Sequence, residues 1–177
     1  GGAASLDYDN DGAQDLYFAG GGSMTPSADG QSIAVAGRSG ALIQNDGSRG
    51  FQDVTLAARL SNAGLYTHGS TLLDVNSDGF DDLLVAGFGG VQLWCNLGDG
   101  TFIEASAELG LVSEAWNVAA AAADYDRDGL IDLYLLTYAQ WQPDPNRLCL
   151  NDQNFRDVCG PTLFEGARDA MFRNTGE

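Results

Sequence analysis

Short apolar runs alternate along the chain with polar stretches dense in aspartate and glycine, and the alternation repeats. The runs Leu16-Tyr-Phe-Ala19, Leu83-Leu-Val-Ala86 and Leu133-Tyr-Leu-Leu136 are aromatic, β-branched or leucine-rich and give way to glycine or polar residues. Their length and composition predict buried strands. A second phrase recurs downstream: Leu42-Ile-Gln-Asn45-Asp-Gly47 leads to Phe51-Gln-Asp-Val-Thr55, and Leu93-Trp-Cys-Asn96-Leu-Gly98 leads to Phe102-Ile-Glu-Ala-Ser106. Met171-Phe-Arg-Asn174-Thr-Gly176 opens a third copy that stops before its Phe. Each copy predicts a strand, an Asn/Gly turn and a returning strand.

Small residues precede each apolar run, in Gly2-Ala-Ala-Ser5, Gly69-Ser-Thr71 and Val118-Ala-Ala-Ala-Ala-Ala123. Alanine has the best helix propensity, but the position of the last segment matches the other two, which predicts a strand. Each unit then reads strand, acidic loop, strand, variable connection, strand, Gly-rich turn, strand. Four antiparallel strands in ~50 residues is the plan of a propeller blade. The fold class predicted is all-β: a β-propeller fragment of about three four-stranded blades. Its repeats run from about 1–60, 66–111 and 116–177, the last truncated at its final strand. Small side chains on the first strands suit a crowded central axis.

The acidic loops carry the chemistry. They read Asp7-Tyr-Asp9-Asn-Asp11-Gly12-Ala13-Gln-Asp15, Asp74-Val-Asn76-Ser-Asp78-Gly79-Phe80-Asp-Asp82 and Asp124-Tyr-Asp126-Arg-Asp128-Gly129-Leu130-Ile-Asp132. Oxygen donors at positions 1, 3, 5 and 9, around a glycine that permits a tight turn, match a hard divalent cation. Ala13, Phe80 and Leu130 at position 7 have no side-chain donor and would offer backbone carbonyls. Asp15, Asp82 and Asp132 would close the shell. Two carboxylates about 4 Å apart repel by roughly 4 kcal/mol at an effective dielectric near 20, so an empty loop should be loose or partly protonated. All-oxygen, partly backbone coordination favours calcium over magnesium, which demands a stricter octahedron. About three Ca2+ ions are expected. For one copy, a solvated Asp/Gly turn is the rival reading. Three copies in register, each followed by leucine and an apolar run, argue against it. An EF-hand would need glutamate at position 12, where Phe18, Val85 and Leu135 stand, and a helix on each side.

With 44% hydrophobic residues, 24 glycines and 4 prolines, the 177-residue chain suits a turn-rich all-β domain. No apolar run approaches the ~20 residues of a membrane span. The net charge of −17, with no lysine, argues against nucleic-acid binding, which needs a basic face. The chain starts at Gly1 without a signal segment and reads as a piece of a longer protein.

The Asp-x-Asp-x-Asp-Gly-x-x-Asp-Leu loops coupled to Asn-x-Gly turns resemble the FG-GAP/VCBS repeats of integrin α-chain propellers and secreted bacterial proteins. The stretch from Asp124 onward, with Trp141, Cys149, Cys159-Gly-Pro161, Gly166, Arg168-Asp169 and Arg173-Asn174, resembles the cartilage acidic protein family and its ASPIC/UnbV-associated bacterial relatives. That resemblance implies a calcium-binding propeller that is secreted, periplasmic or at the cell surface. Two departures stand out: Asn76 replaces an aspartate, and Cys95 replaces a usual aromatic residue. No ASPIC/UnbV domain lies within these residues.

Cys149 and Cys159 share one polar connection, Trp141 to Arg168, with Pro143, Pro145 and Pro161. A disulfide there would staple an inserted loop, contribute about 3 kcal/mol by restricting the unfolded chain, and indicate an oxidising compartment. Two cysteines without nearby histidine fall short of a zinc site. Cys95 reads as a buried small hydrophobe and His68, the sole histidine, as packing, since no nucleophile is placed beside it. A glycosidase reading from paired carboxylates fails because every well-placed aspartate belongs to a loop. The Gly20 to Gly40 stretch, rich in Gly, Ser and Ala, reads as a surface loop. The function expected is a secreted calcium-binding module, not an enzyme, that binds an unknown protein or glycan ligand. The alternatives are the propeller part of a larger secreted enzyme and a purely structural spacer.

Overall fold

The computed structural model describes residues 2–28, 31–61, 64–144, 146–155, 157 and 159–176. The described residues form β-strands, turns and two short 3-10 segments, with no α-helix among them.

Three antiparallel sheets follow the three repeats. The first has the order β1 (Ala3–Leu6), β2 (Asp15–Phe18), β5 (Ala41–Asn45), β6 (Phe51–Asp53), with β3 (Gly22–Pro26) and β4 (Ile33–Gly37) forming a separate hairpin between β2 and β5. The second sheet is β7 (Tyr66–Leu73), β8 (Asp82–Phe88), β9 (Gly90–Asn96), β10 (Phe102–Glu104). The third contains β11 (Asn117–Ala123), β12 (Asp132–Thr137) and β13 (Ala170–Phe172). The chain meanders through each sheet in sequence order, as the repeated strand phrases predict. The Gly20–Gly40 stretch differs from the expected loop: Gly22 to Pro26 pairs with Gly37 to Ile33. Its small residues are mostly exposed or half-buried, so no buried face announces the hairpin.

Strand periodicity assigns the core. In β8, Leu83 and Val85 face the first sheet and pack with Leu6, Tyr17, Leu42 and Leu60. The alternate residues Leu84 and Ala86 face the third sheet and pack with Leu133 and Leu135. The second sheet is therefore buried on both faces, which is why β8 is a continuous apolar run rather than an alternating one. β1 and β11 both contact β7, so the first strands of the three sheets meet. Glycine permits this approach: a Cβ on Gly69 would strike the Val118 carbonyl, and one on Gly2 would strike the backbone of His68. Thr71 Oγ1 donates to the Ala120 carbonyl at 2.9 Å across the same junction. The alanine-rich segment is strand β11, because pairing with β12 and packing on β7 outweigh alanine's helix preference.

Loop polarity follows from this topology. The three aspartate loops join first to second strands at one end of the sheets. The hairpin β3–β4 and the insertion between β12 and β13 lie at the other. Cys149 and Cys159 form a disulfide within that insertion, with Cα atoms 5.1 Å apart. Cys95 is free and buried, and burial pushes its thiol up to about 12, which leaves it unreactive. No helix among the described residues is long and apolar enough to cross a membrane.

Candidate metal centres at the aspartate loops

Each loop is folded by its own carboxylates. The first aspartate accepts two backbone N–H bonds: Asp7 from Asp11 and Gly12 at 3.1 and 3.0 Å, Asp74 from Asp78 and Gly79 at 3.0 and 2.9 Å, Asp124 from Asp128 and Gly129 at 3.1 and 2.9 Å. The fifth position, Asp11, Asp78 or Asp128, accepts from the N–H of Ala13, Phe80 or Leu130. Glycine at position 6 has φ of 86°, 88° and 93°. Position 4 is also left-handed, with Asn10, Ser77 and Arg127 at φ 56°, 60° and 65°. Asparagine tolerates that conformation well, whereas arginine does not, so the third loop carries local strain that its sequence conceals.

The ninth residue links the loop to the sheet. Asp15, Asp82 and Asp132 are buried and use one oxygen for the N–H of position 2 (Tyr8, Val75, Tyr125) at 2.9–3.1 Å. The other oxygen accepts the N–H of Asn45, Asn96 or Asn174 at 2.7–2.8 Å. Those asparagines then hold their own turns, each Oδ1 accepting from the glycine two residues on. Two of them also cross between sheets: Asn96 Nδ2 donates to the Tyr8 carbonyl at 3.0 Å and Asn174 Nδ2 to the Val75 carbonyl at 2.7 Å. Loop, ninth aspartate and asparagine thus form one hydrogen-bonded chain through all three repeats. The asparagine role is not legible as a spacing, because Asp15, Asp82 and Asp132 stand 30, 14 and 42 residues from their asparagines; the recurring Asn-x-Gly turn after each loop is the available signal.

Asp7, Asp9 and Asp15 bring carboxylate oxygens within 4.8 Å of one another, as do Asp124, Asp126 and Asp128. Both clusters could hold a metal ion. Asp11 and Asp132 stand outside these groups, their oxygens turned to backbone N–H groups. No acidic triad of this kind forms in the second loop among the described residues, where Asn76 holds the third position and its Nδ2 donates to Asp78. The donors are oxygens throughout, which fits a hard cation and not a thiophilic one.

The loops differ in one neighbour, the residue before the asparagine. Gln44 Nε2 donates to Asp9 Oδ2 at 2.6 Å in the first. The buried Cys95 occupies this place in the second. Arg173 fills it in the third, with Nε 2.7 Å from Asp126 Oδ2 and Nη2 3.0 Å from Asp128 Oδ2. Burial pushes the Asp82 carboxyl up to about 6, opposed by its two N–H bonds and reinforced by Asp78 and Asp74. Burial likewise raises Asp15. The Leu130 N–H bond, then Arg173, hold Asp128 below the usual carboxylate range.

A family model described as an FG-GAP-like repeat matches residues 74–135. No curated protein matches the chain. The matched span starts at the first aspartate of the second loop, takes in the third loop and ends within β12. Over that span, which joins two of the three aspartate loops, the chain is similar to an FG-GAP-like repeat.

Proposed function

We propose that the chain is a calcium-binding β-propeller module that presents loops to a protein or glycan ligand, with calcium in a structural role. The observation that carries this reading is the threefold aspartate loop, each copy tied by its ninth aspartate to a later strand or turn of its own sheet. Calcium would be held by Asp7, Asp9, Asp11, Asp15 and the Ala13 carbonyl; by Asp74, Asn76, Asp78, Asp82 and the Phe80 carbonyl; and by Asp124, Asp126, Asp128, Asp132 and the Leu130 carbonyl. When bound, it neutralises carboxylates that otherwise repel one another across each turn.

The three sheets are then blades, with repeats at about 1–60, 66–111 and 116–177. The similarity to an FG-GAP-like repeat and the disulfide support a secreted, periplasmic or cell-surface location. Kinship with the cartilage acidic protein and ASPIC/UnbV-associated proteins is the finer form of this proposal. The module is not an enzyme in this reading, because its regularly spaced carboxylates serve the loops.

Calorimetric titration of the chelated protein with CaCl2, paired with melting in CaCl2 and in EGTA, tests the proposal. Saturable binding of about three ions and a higher melting temperature in calcium are expected. Absence of both heat and stabilisation would end the calcium assignment.

A further inference from the structure

At the end of the sheets remote from the aspartate loops, a cleft of about 340 Å³ is lined by Phe88, Trp116 and Trp141, with Glu114, Gln140 and Gln142 and small alanines between them. We propose that this cleft binds an uncharged glycan, stacking a pyranose ring on its aromatic side chains. The proposal rests on the recognition-module reading and names both the place and the ligand class.

The cleft walls are fixed. Phe88 at the end of β8 forms an isolated antiparallel bridge with Trp116, just before β11. The Tyr138 N–H donates to the Trp116 carbonyl at 2.9 Å, and the Gln140 N–H to the Glu165 carbonyl at 2.9 Å. The rings brace one another: Trp116 and Trp141 have centroids 5.0 Å apart, Phe88 and Trp141 5.3 Å, Phe88 and Trp116 5.6 Å, all edge to face. His68 stacks on Trp116 from behind at 5.6 Å. Two tryptophans and a phenylalanine stay half-buried here, although the sheets have a core elsewhere for such residues.

The lining selects the ligand. It contains a carboxylate and two amides but no cationic side chain, and the chain carries a net charge of −17. Acidic polysaccharides, phosphates and nucleic acids are disfavoured on charge. One carboxylate is too few for a metal ion. A wholly apolar ligand would strand exposed Glu114, Gln140 and Gln142 at the rim. The glutamine amides each offer donors and an acceptor, Glu114 offers acceptors only, and the rings offer flat apolar faces. A pyranose presents the complement: an apolar C–H face, and a rim of hydroxyls that both donate and accept. The volume lies at the small end of ligand pockets, room for about one or two sugar rings.

The test titrates the intact chain, in calcium and in EGTA, with cellohexaose, maltohexaose, xylohexaose, mannohexaose and chitohexaose. Heparin, polygalacturonate and an octa-arginine peptide serve as charged alternatives, and tryptophan fluorescence and calorimetry are the readouts. At least one neutral oligosaccharide should bind and perturb the fluorescence. Trp141→Ala should weaken it about tenfold or more and Gln142→Ala about threefold, with the calcium-induced melting shift unchanged. If Trp141→Ala lowers the melting temperature, Gln142→Ala and Glu114→Gln decide the matter. Binding confined to heparin, polygalacturonate or octa-arginine overturns the inference, as does binding indifferent to these substitutions or failure of all five neutral oligosaccharides. Calcium stabilisation without sugar binding rejects the cleft and leaves the calcium reading standing. Sugar binding without calcium stabilisation does the reverse.

Discussion

At one end of the three main sheets, the first aspartate of every loop accepts the same pair of N–H bonds, all between 2.9 and 3.1 Å. At the other end no two connections match: β2 runs into a hairpin, β8 turns at Gly89 directly into β9, and β12 enters a disulfide-bonded insertion. The repeated end solves a problem every sheet shares, closing its first two strands and fastening them to the next sheet. The singular end has no such duty, and rings from three separate segments gather there. Repetition supports the sheets at one end, and under the proposed function the exceptions at the other end carry recognition.

Calcium removal should break this comparison most visibly. If each of about three sites is saturated roughly 100-fold above its dissociation constant, the ions together stabilise by about 8 kcal/mol, on the order of 15 °C or more in melting temperature. Hydrogen exchange should speed up first at the N–H groups of Gly12, Gly79 and Gly129, whose acceptors are the loops' first aspartates. Equal acceleration at both ends of the sheets would show that the loops are not the calcium-dependent part.

Asp82→Ala should be the most damaging single change at the repeated end, costing about 3 kcal/mol, because it leaves the Val75 and Asn96 N–H groups unpaired. Denaturant unfolding measures the loss. Asp82 also fixes a sign for pH. Its folded value is raised to about 6, so in chelator the stability it contributes is present below its ordinary value of 3.8 and is lost as pH rises through 6. Melting in EGTA between pH 4 and 7 should show this decline, and saturating calcium should remove it. A decline of equal size in the Asp82→Asn protein would assign it to other groups.

Asn96→Ala should cost less, about 2 kcal/mol. It frees the Tyr8 carbonyl in the first repeat and the Gly98 N–H, while its own backbone bond to Asp82 survives. Because Tyr8 sits inside the first loop, calcium affinity there should fall together with stability, which titration of the variant would register. Lost stability with unchanged affinity at that loop would cut the proposed link between sheets.

The aspartates at positions 1, 3 and 5 and the glycine at 6 are legible in sequence because each answers a local demand. Their spacing dictates the turn, and the apolar run that follows dictates the strand. The double use of Asp82 is not local: its second oxygen meets Asn96, a residue of another strand. Asn96 in turn reaches Tyr8 across the boundary between sheets. Only the recurrence of an Asn-x-Gly turn after each aspartate loop, at 30, 14 and 42 residues from the ninth aspartate, hinted at that contact. The β3–β4 hairpin is not legible in sequence, because its Gly, Ser and Ala residues give no buried alternation. The aromatic cleft was invisible for a further reason. Phe88, Trp116 and Trp141 follow no period, and only the meeting of three chain segments makes them neighbours.

The smallest effect concerns a difference within the repeated end itself. Arg173 places its guanidinium on Asp126 and Asp128, whereas Gln44 makes the corresponding approach to Asp9 without charge. A cation in the third loop must share those carboxylate oxygens with an existing positive charge, and like charges oppose one another even across a solvated site. Arg173 is half exposed, so the opposition is modest and screened by salt. Arg173→Gln should therefore raise calcium affinity at the third loop about threefold at low ionic strength and less at high. Gln44→Arg should weaken the first loop by a similar factor. Calorimetry of the two variants at low and high salt reads both effects. A third-loop affinity that falls when Arg173 is removed would mean that the guanidinium preorganises the carboxylates, and the charge-competition account would be wrong.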